Sequence, residues 1–227
     1  MAYDESYYAW NGQAGDRPAL WFYSRLARRY FANGRVLDFG SGTGFLLRRL
    51  SRYFLADGFE VSAHAKENSE LLHSGIRIFD ELAHIQPASY SGITALHVFE
   101  HIDDKALQEV FATFRNILLP GGRILCVVPE RDGLGHIIKG TDWCGFKDPT
   151  HVNLKNFKEW SSFFRENGFA IVKAGTDGLW DFPYSRKPRY LDILQHSWLT
   201  IIQFFAGRLI LSVSSGESAV FILKRLS

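Results

Sequence analysis

The sequence predicts an α/β protein: a mostly parallel sheet with helices on both faces. Two observations carry this. Short apolar runs of strand length alternate with amphipathic stretches of helical period along nearly the whole chain. A glycine-rich turn, Gly40-Ser41-Gly42-Thr43-Gly44, joins the first run to the stretch after it, as at the ligand-binding edge of such sheets. With 227 residues, 46% of them hydrophobic, the chain can bury a core without disulfides.

The elements follow in order. Leu20, Tyr23, Leu26, Ala27 and Tyr30 recur at helical spacing opposite Arg25, Arg28 and Arg29, giving a helix from Pro18 to Phe31. Arg35–Phe39 is a strand, and Leu46, Leu47 and Leu50 belong to the helix behind the glycine turn. A strand ending near Phe59-Glu60, a helix over Ala63–Leu72 and strands at Ile76–Phe79 and Ile93–Val98 come next. Asp103 or Asp104 caps a helix whose face is Leu107, Val110, Phe111, Phe114, Ile117 and Leu118, and Pro120-Gly121-Gly122 stops it. A strand at Ile124–Val128, a long loop to Asn153, a helix over Leu154–Glu166, and strands at Phe169–Ala174 and Ala219–Lys224 complete the series. One domain is expected over 1–227. It carries an aromatic N-terminal flap and helix over 1–33 (Tyr3, Tyr7, Tyr8, Trp10, Gly12, Gly15) and an insertion over 177–213 between the last two strands.

Composition excludes several classes. A net charge of +2 is too small for a nucleic-acid footprint, which would mass Lys and Arg on one surface. The N-terminus has neither the basic start nor the apolar stretch of a signal peptide, and two cysteines without metal-ligand spacing fit a reducing, cytoplasmic setting. The run Trp198–Val213 is apolar but too short to span a bilayer. It reads as a helix packed on the domain or against a second subunit as a homodimer, or else as a contact to a lipid-linked acceptor or membrane surface.

At the glycine turn, a dinucleotide fingerprint needs glycine where Phe45 stands, and a phosphate loop needs Gly-Lys-Ser/Thr. Asp38 just before the turn suits a cationic ligand, and Glu60, at the end of the second strand, can accept two ribose hydroxyls. The ligand reads as a nucleoside without phosphates.

Val36-Leu37-Asp38-Phe39-Gly40-Ser41-Gly42-Thr43-Gly44 resembles the first motif of class I S-adenosylmethionine-dependent methyltransferases. Phe59-Glu60-Val61-Ser62 is similar to their second motif, and Leu96–Ile102 to their fourth-strand segment. Leu118–Arg123 resembles the element before the fifth strand. Asp148–Asn153 resembles a substrate-side segment of the branch near ubiquinone-type and glycan-associated enzymes. The resemblance implies a Rossmann-like, doubly wound, seven-stranded sheet with an antiparallel last strand, and S-adenosylmethionine as cofactor. It implies that Gly40, Gly42 and Gly44 line the methionine part of the cofactor and Glu60 its ribose. Asp80 would meet the adenine, a helix cap being its alternative, and the backbone around His97 the sulfonium side, with Asp38, Ser41 and Val61 beside them.

The expected reaction is methyl transfer to a small-molecule acceptor, at oxygen. A hydroxyl nucleophile needs a base, for which His101 and His151 are the candidates. His97-x-x-Glu100-His101 also matches an inverted zinc-peptidase pattern, but His97 closes a strand and so leaves the one helix face such ligands need; no metal is expected. The Trp143–Phe146 and Trp180–Tyr184 segments are candidate walls of an acceptor pocket. The rival readings are a non-catalytic S-adenosylmethionine-binding scaffold and a nicotinamide oxidoreductase.

Overall fold

The computed structural model describes residues 5, 7, 15–72 and 75–226. In chain order the principal elements are α1 (Pro18–Tyr30), β1 (Arg35–Phe39), α2 (Phe45–Leu50), β2 (Leu55–Phe59), α3 (Ala63–Leu72), β3 (Ile78–Phe79) and β4 (Tyr90–Leu96). They continue with α4 (Asp104–Ile117), β5 (Leu118–Pro129), α5 (Leu134–Lys139), α6 (Cys144–Lys147), α7 (Phe157–Glu166), β6 (Phe169–Thr176), α8 (Arg189–Ala206) and β7 (Ser218–Arg225). Seven strands hydrogen-bond in the order β3-β2-β1-β4-β5-β7-β6, with the last strand antiparallel and helices on both faces. The expected architecture is the one observed.

Backbone packing divides the chain into two compact units. The first comprises the chain up to Leu96, Val110–Leu125 and the residues from Lys224 on; the second comprises His97–Glu109 and Cys126–Leu223. In the first, β1 pairs in parallel with both β2 and β4, with Asp38 opposite Gly58 on one side and Thr94 on the other. Its core includes Phe39, stacked on Phe59 at 4.9 Å and met edge-on by Phe114 at 5.0 Å. In the second, Phe221 of β7 stacks on Phe157 and meets Phe164 edge-on, and Trp160 stacks on Phe164 at 5.6 Å. Each unit therefore has an aromatic core of its own.

Strands expected at Ile76–Phe79, Ile93–Val98 and Ile124–Val128 run over Ile78–Phe79, Tyr90–Leu96 and Leu118–Pro129, the long loop to Asn153 carries α5 and α6, and three further boundaries differ, each for a local reason. The helix ended by Pro120-Gly121-Gly122 stops at Ile117, because the chain turns straight into β5 and carries those three residues within the strand. Asp103 is its cap, its Oδ1 accepting from the Lys105 and Ala106 N–H groups at 3.0 Å. The helix expected from Leu154 begins at Phe157, because Asn156 and Glu159 form a reciprocal capping box there. The apolar run over 198–213 is not one helix. Its first part ends α8, which starts at Arg189 and stops at Gly207, where φ of +59° puts the chain in the left-handed region.

Of the flap, Tyr3, Tyr8, Trp10 and Gly12 lie outside the described residues. Tyr7 is buried in a cluster with Ala65, and Asp16 accepts from Arg49 of α2 at 2.6 Å.

Candidate functional site

The glycine turn in the first unit is built by backbone geometry. Gly40, Gly42 and Gly44 all have positive φ, +72°, +51° and +85°, a region that favours glycine. The end of β2 holds the turn in place. Phe59 O accepts from the Gly40 and Ser41 N–H groups at 2.9 and 3.0 Å, and the Gly42 N–H donates to Glu60 Oε2 at 2.7 Å. A Cβ on Gly44 would stand 2.2 Å from Ser69 Oγ. The turn therefore depends on glycine for its backbone angles, has no room for a side chain at Gly44, and is braced by the acid expected to hold a ribose.

Glu60 is buried, and its other oxygen accepts from the Ser62 N–H at 2.8 Å. Burial pushes its carboxyl up, and the hydrogen bonds from the Ser62, Gly42 and Val61 backbone partly restrain that rise. Asp38, wholly buried, is pushed up to about 7 by burial. The Thr94 hydroxyl, donating to Asp38 Oδ1 at 2.7 Å, opposes the rise and the charge of Glu60 adds to it.

Two depressions flank this pair of acids within the first unit. One, of about 50 Å³, joins Asp38 and the glycine turn to Gly15 and Arg17. Arg17 was not signalled by the sequence, since it precedes the first helix as an ordinary polar residue. Its Nε is buried without a hydrogen-bond partner among the described residues, and burial lowers its pKa. Ser41 Oγ is buried in the same condition. The other depression, of about 260 Å³, runs from Glu60 and the exposed Val61 to Asp80. Asp80 does not cap the following turn. That position belongs to Glu81, while Asp80 is half-exposed and paired with Lys66 at 2.7 Å.

The histidine cluster lies in the second unit. His97 follows β4 with φ of +55°, a conformation uncommon for a residue with a side chain, and its Nδ1 stands 3.2 Å from Glu100 Oε1. Phe99–His101 then forms a single tight turn rather than a helix face, so His97 and His101 do not present a zinc-peptidase pair. His101 and His151, 50 residues apart in sequence, come together with ring centroids 4.7 Å apart. The Thr150 hydroxyl donates to Asp148 Oδ1 at 2.5 Å and stands 2.9 Å from His101 Nδ1. His151 Nδ1 is 2.7 Å from the Gly145 carbonyl oxygen. Burial, first of all, holds the His101 pKa below the ordinary histidine range, with the nearby Glu100 carboxylate opposing it.

Glu100 is fully buried, and its Oε2 has no hydrogen-bond partner among the described residues. Burial pushes its carboxyl up, but the hydrogen bond and charge of His97, with His101 and His151 behind it, carry the net shift below the ordinary carboxylate range. Ligand atoms of Glu100, His101 and His151 all lie within 4.8 Å of one another, so the three could gather around a divalent cation.

Of the two candidate wall segments, Trp143 is fully buried, its indole N–H donating to Glu217 Oε2 at 2.6 Å, and the Tyr184 hydroxyl donates to the other Glu217 oxygen. Trp143 and Tyr184 thus meet on one buried carboxylate, while Phe146 and Trp180 of the same segments are exposed.

Against known proteins, residues 14–174 match the family described as "Methyltransferase domain". A comparison with curated proteins finds no match. Solved structures similar to this chain include a SAM dependent methyltransferase from Archaeoglobus fulgidus, at 16% identity and TM-score 0.68, over 98% of this chain and 100% of that one. A putative methyltransferase from Haloferax volcanii, in complex with the Trm112 methyltransferase activator, aligns at 15% identity and TM-score 0.69 over 100% of both chains. Geranyl diphosphate C-methyltransferase from Streptomyces coelicolor A3(2) aligns at 12% identity and TM-score 0.60, over 90% of this chain and 80% of that one. These likenesses bear on the fold. With the family match over most of the chain and the glycine turn closed by a strand-end acid, the nicotinamide reading falls away. The chain belongs to the methyltransferase-domain family and is a class I S-adenosylmethionine-dependent methyltransferase.

Proposed function

We propose that the enzyme methylates an oxygen of a small hydroxylated molecule, with His101 as the proton acceptor. The observation that carries this is the chain Asp148, Thr150, His101. The Thr150 hydroxyl gives its one proton to the Asp148 carboxylate, so toward His101 it can only accept, and the proton of the neutral imidazole sits on Nδ1. Nε2 is left with its lone pair. Because burial lowers the pKa of the ring, that lone pair is present at neutral pH. At His151 a carbonyl oxygen 2.7 Å away faces Nδ1, and Nε2 lies 3.9 Å from Asp148 Oδ2. We assign His151 to holding the acceptor or relaying its proton.

When bound, S-adenosylmethionine supplies a methyl group on a positively charged sulfur. The first unit fits that cofactor: its turn excludes side-chain bulk, its acids suit a cationic nucleoside, and Arg17 offers an unpaired Nε. Gly40, Gly42 and Gly44 are assigned to the methionine part, with Asp38 and Ser41 beside them and Arg17 as partner of its carboxylate. Glu60 would accept from the ribose hydroxyls in exchange for the Gly42 N–H. Val61 and Asp80 would flank the adenine, and the His97 backbone the sulfonium side.

The test is a methyl-transfer screen over hydroxylated and amino metabolites, repeated with His101→Ala. Turnover on hydroxyl acceptors alone, falling about 10²- to 10⁴-fold in the variant with S-adenosylhomocysteine affinity retained, is the expected result. Turnover confined to amines, untouched by the substitution, would overturn the oxygen assignment. The orphaned Glu100 Oε2 favours one second reading, in which Glu100, His101 and His151 hold a divalent cation that activates the acceptor oxygen. Loss of turnover on adding a chelator, restored by a divalent ion, would select it.

A further inference from the structure

Helix α8 is turned inside out. Its buried residues include Asp192, Ser197, Thr200 and Gln203, all polar. Its exposed residues include Tyr190, Leu194, Trp198, Ile201, Ile202 and Phe205, at 64%, 60%, 52%, 38%, 49% and 69% exposure. At 100° per residue those six fall within an arc of about 120°, with Asp192, Thr200 and Gln203 on the opposite side and Ser197 beside the arc's edge.

The inversion is held in place by bonds within the second unit. Asp192 Oδ2 accepts from the Tyr184 N–H at 2.7 Å, and Ser197 Oγ donates to Leu179 O at 2.7 Å. The Gln203 amide donates to Thr176 O at 2.7 Å, while its oxygen accepts from the Ile210 and Leu211 N–H groups at 2.7 and 2.9 Å. These contacts leave the polar face no freedom to turn outward, so the apolar ridge is a fixed feature. A contiguous outward apolar face on a well-bonded helix marks a docking surface.

Charge selects the occupant. Arg186, Lys187 and Arg189 lead into the helix and Arg208 follows it, all exposed. Between Asp181 and Glu217 the only carboxylate is Asp192, which is buried. An apolar ridge about 23 Å long with cations at both ends and aromatic residues along it is the pattern of a helix lying in the headgroup boundary of an anionic bilayer. In a two-fold pairing of this ridge with its copy the cationic ends would face one another, with no exposed carboxylate in the segment to offset them. No helix among the described residues is long and apolar enough to cross a membrane, and this one would lie along the surface.

We infer that α8 docks the enzyme on an anionic membrane surface, its apolar ridge entering the headgroup boundary and its flanking arginines and lysine meeting lipid phosphates. This goes beyond the acceptor reading and stands whatever the acceptor proves to be.

The experiment is vesicle co-sedimentation of the full chain, with pure phosphatidylcholine against phosphatidylcholine mixed with phosphatidylglycerol. Binding to the anionic vesicles that weakens with salt is expected. The doubly substituted Trp198→Ser, Ile202→Ser chain, altered only at exposed positions, should lose about tenfold or more of its partition coefficient. Arg186→Glu with Arg208→Glu should reduce binding to the level of pure phosphatidylcholine and serves as the independent variant should the first misfold. No binding to anionic vesicles would overturn the inference. So would binding indifferent to both sets of substitutions, or a self-association abolished by the ridge variant in a chain that ignores lipid.

Discussion

Glu60 does two things at once, and that shapes what its replacement should do. As a carboxylate it braces the glycine turn through Gly42 and the start of α3 through Ser62. Glu60→Gln keeps one acceptor oxygen for these N–H groups but removes the charge proposed to meet two ribose hydroxyls. S-adenosylhomocysteine affinity should fall by about 1–3 kcal/mol in calorimetry, and the unfolding midpoint should fall too, because one of the two N–H groups then faces the amide NH2. A loss of turnover with affinity intact would contradict the ribose assignment. Gly42→Val is harsher. The side chain would sit where φ is +51°, so it should cost about 1–3 kcal/mol of stability as well as cofactor binding. The strain is invisible to the sequence, which shows that a glycine is present but not the angle that requires it.

At the level of elements, the turn Phe99–His101 and the segment carrying Thr150 and His151 together set the proposed base. Thr150 is a positioning residue, and its removal should act through the pH profile. In the wild type saturated with S-adenosylmethionine, kcat should stay flat through neutrality and fall only at a pH below the ordinary histidine range, because burial lowers the His101 pKa. Thr150→Val leaves the ring burial in place but frees the tautomer, so the maximal rate should drop while the cofactor affinity is unmoved. Thr150→Ser should restore it. An unchanged rate in Thr150→Val would remove the relay from the mechanism.

The same elements mark how far the sequence could be read. The glycine turn, the strand-end acids and both histidines were legible because each is local, one residue type at one end of one element. The bond between His101 and Thr150 links residues 49 positions apart, and no pattern within either segment announces it. Arg17 was illegible for the same reason, its proposed role depending on which turn it lies against. The orientation of α8 was hidden differently. Its apolar count reads as core, and only the bonds of Ser197 and Gln203 to backbone show that the polar side faces in.

For the whole molecule, the buried acid beside the turn couples stability to pH in a direction opposite to that of a salt-bridged carboxylate. Asp38 has a folded pKa raised from 3.8 to about 7. Between those values the folded chain holds a proton that the unfolded chain has released, so stability falls as pH rises and levels off once both forms are ionised. The slope approaches about 1.4 kcal/mol per pH unit, on the order of 3 kcal/mol across the window from about pH 5 to pH 8. Asp38→Asn removes the titration while keeping an acceptor for the Thr94 hydroxyl. Its own packing penalty, whatever its size, does not vary with pH. Urea unfolding of both chains through this window should therefore show the wild type losing stability relative to the variant as pH rises, with the difference constant above about pH 8. Parallel profiles would mean that Asp38 ionises near its ordinary range, held as a carboxylate by Thr94 despite its burial.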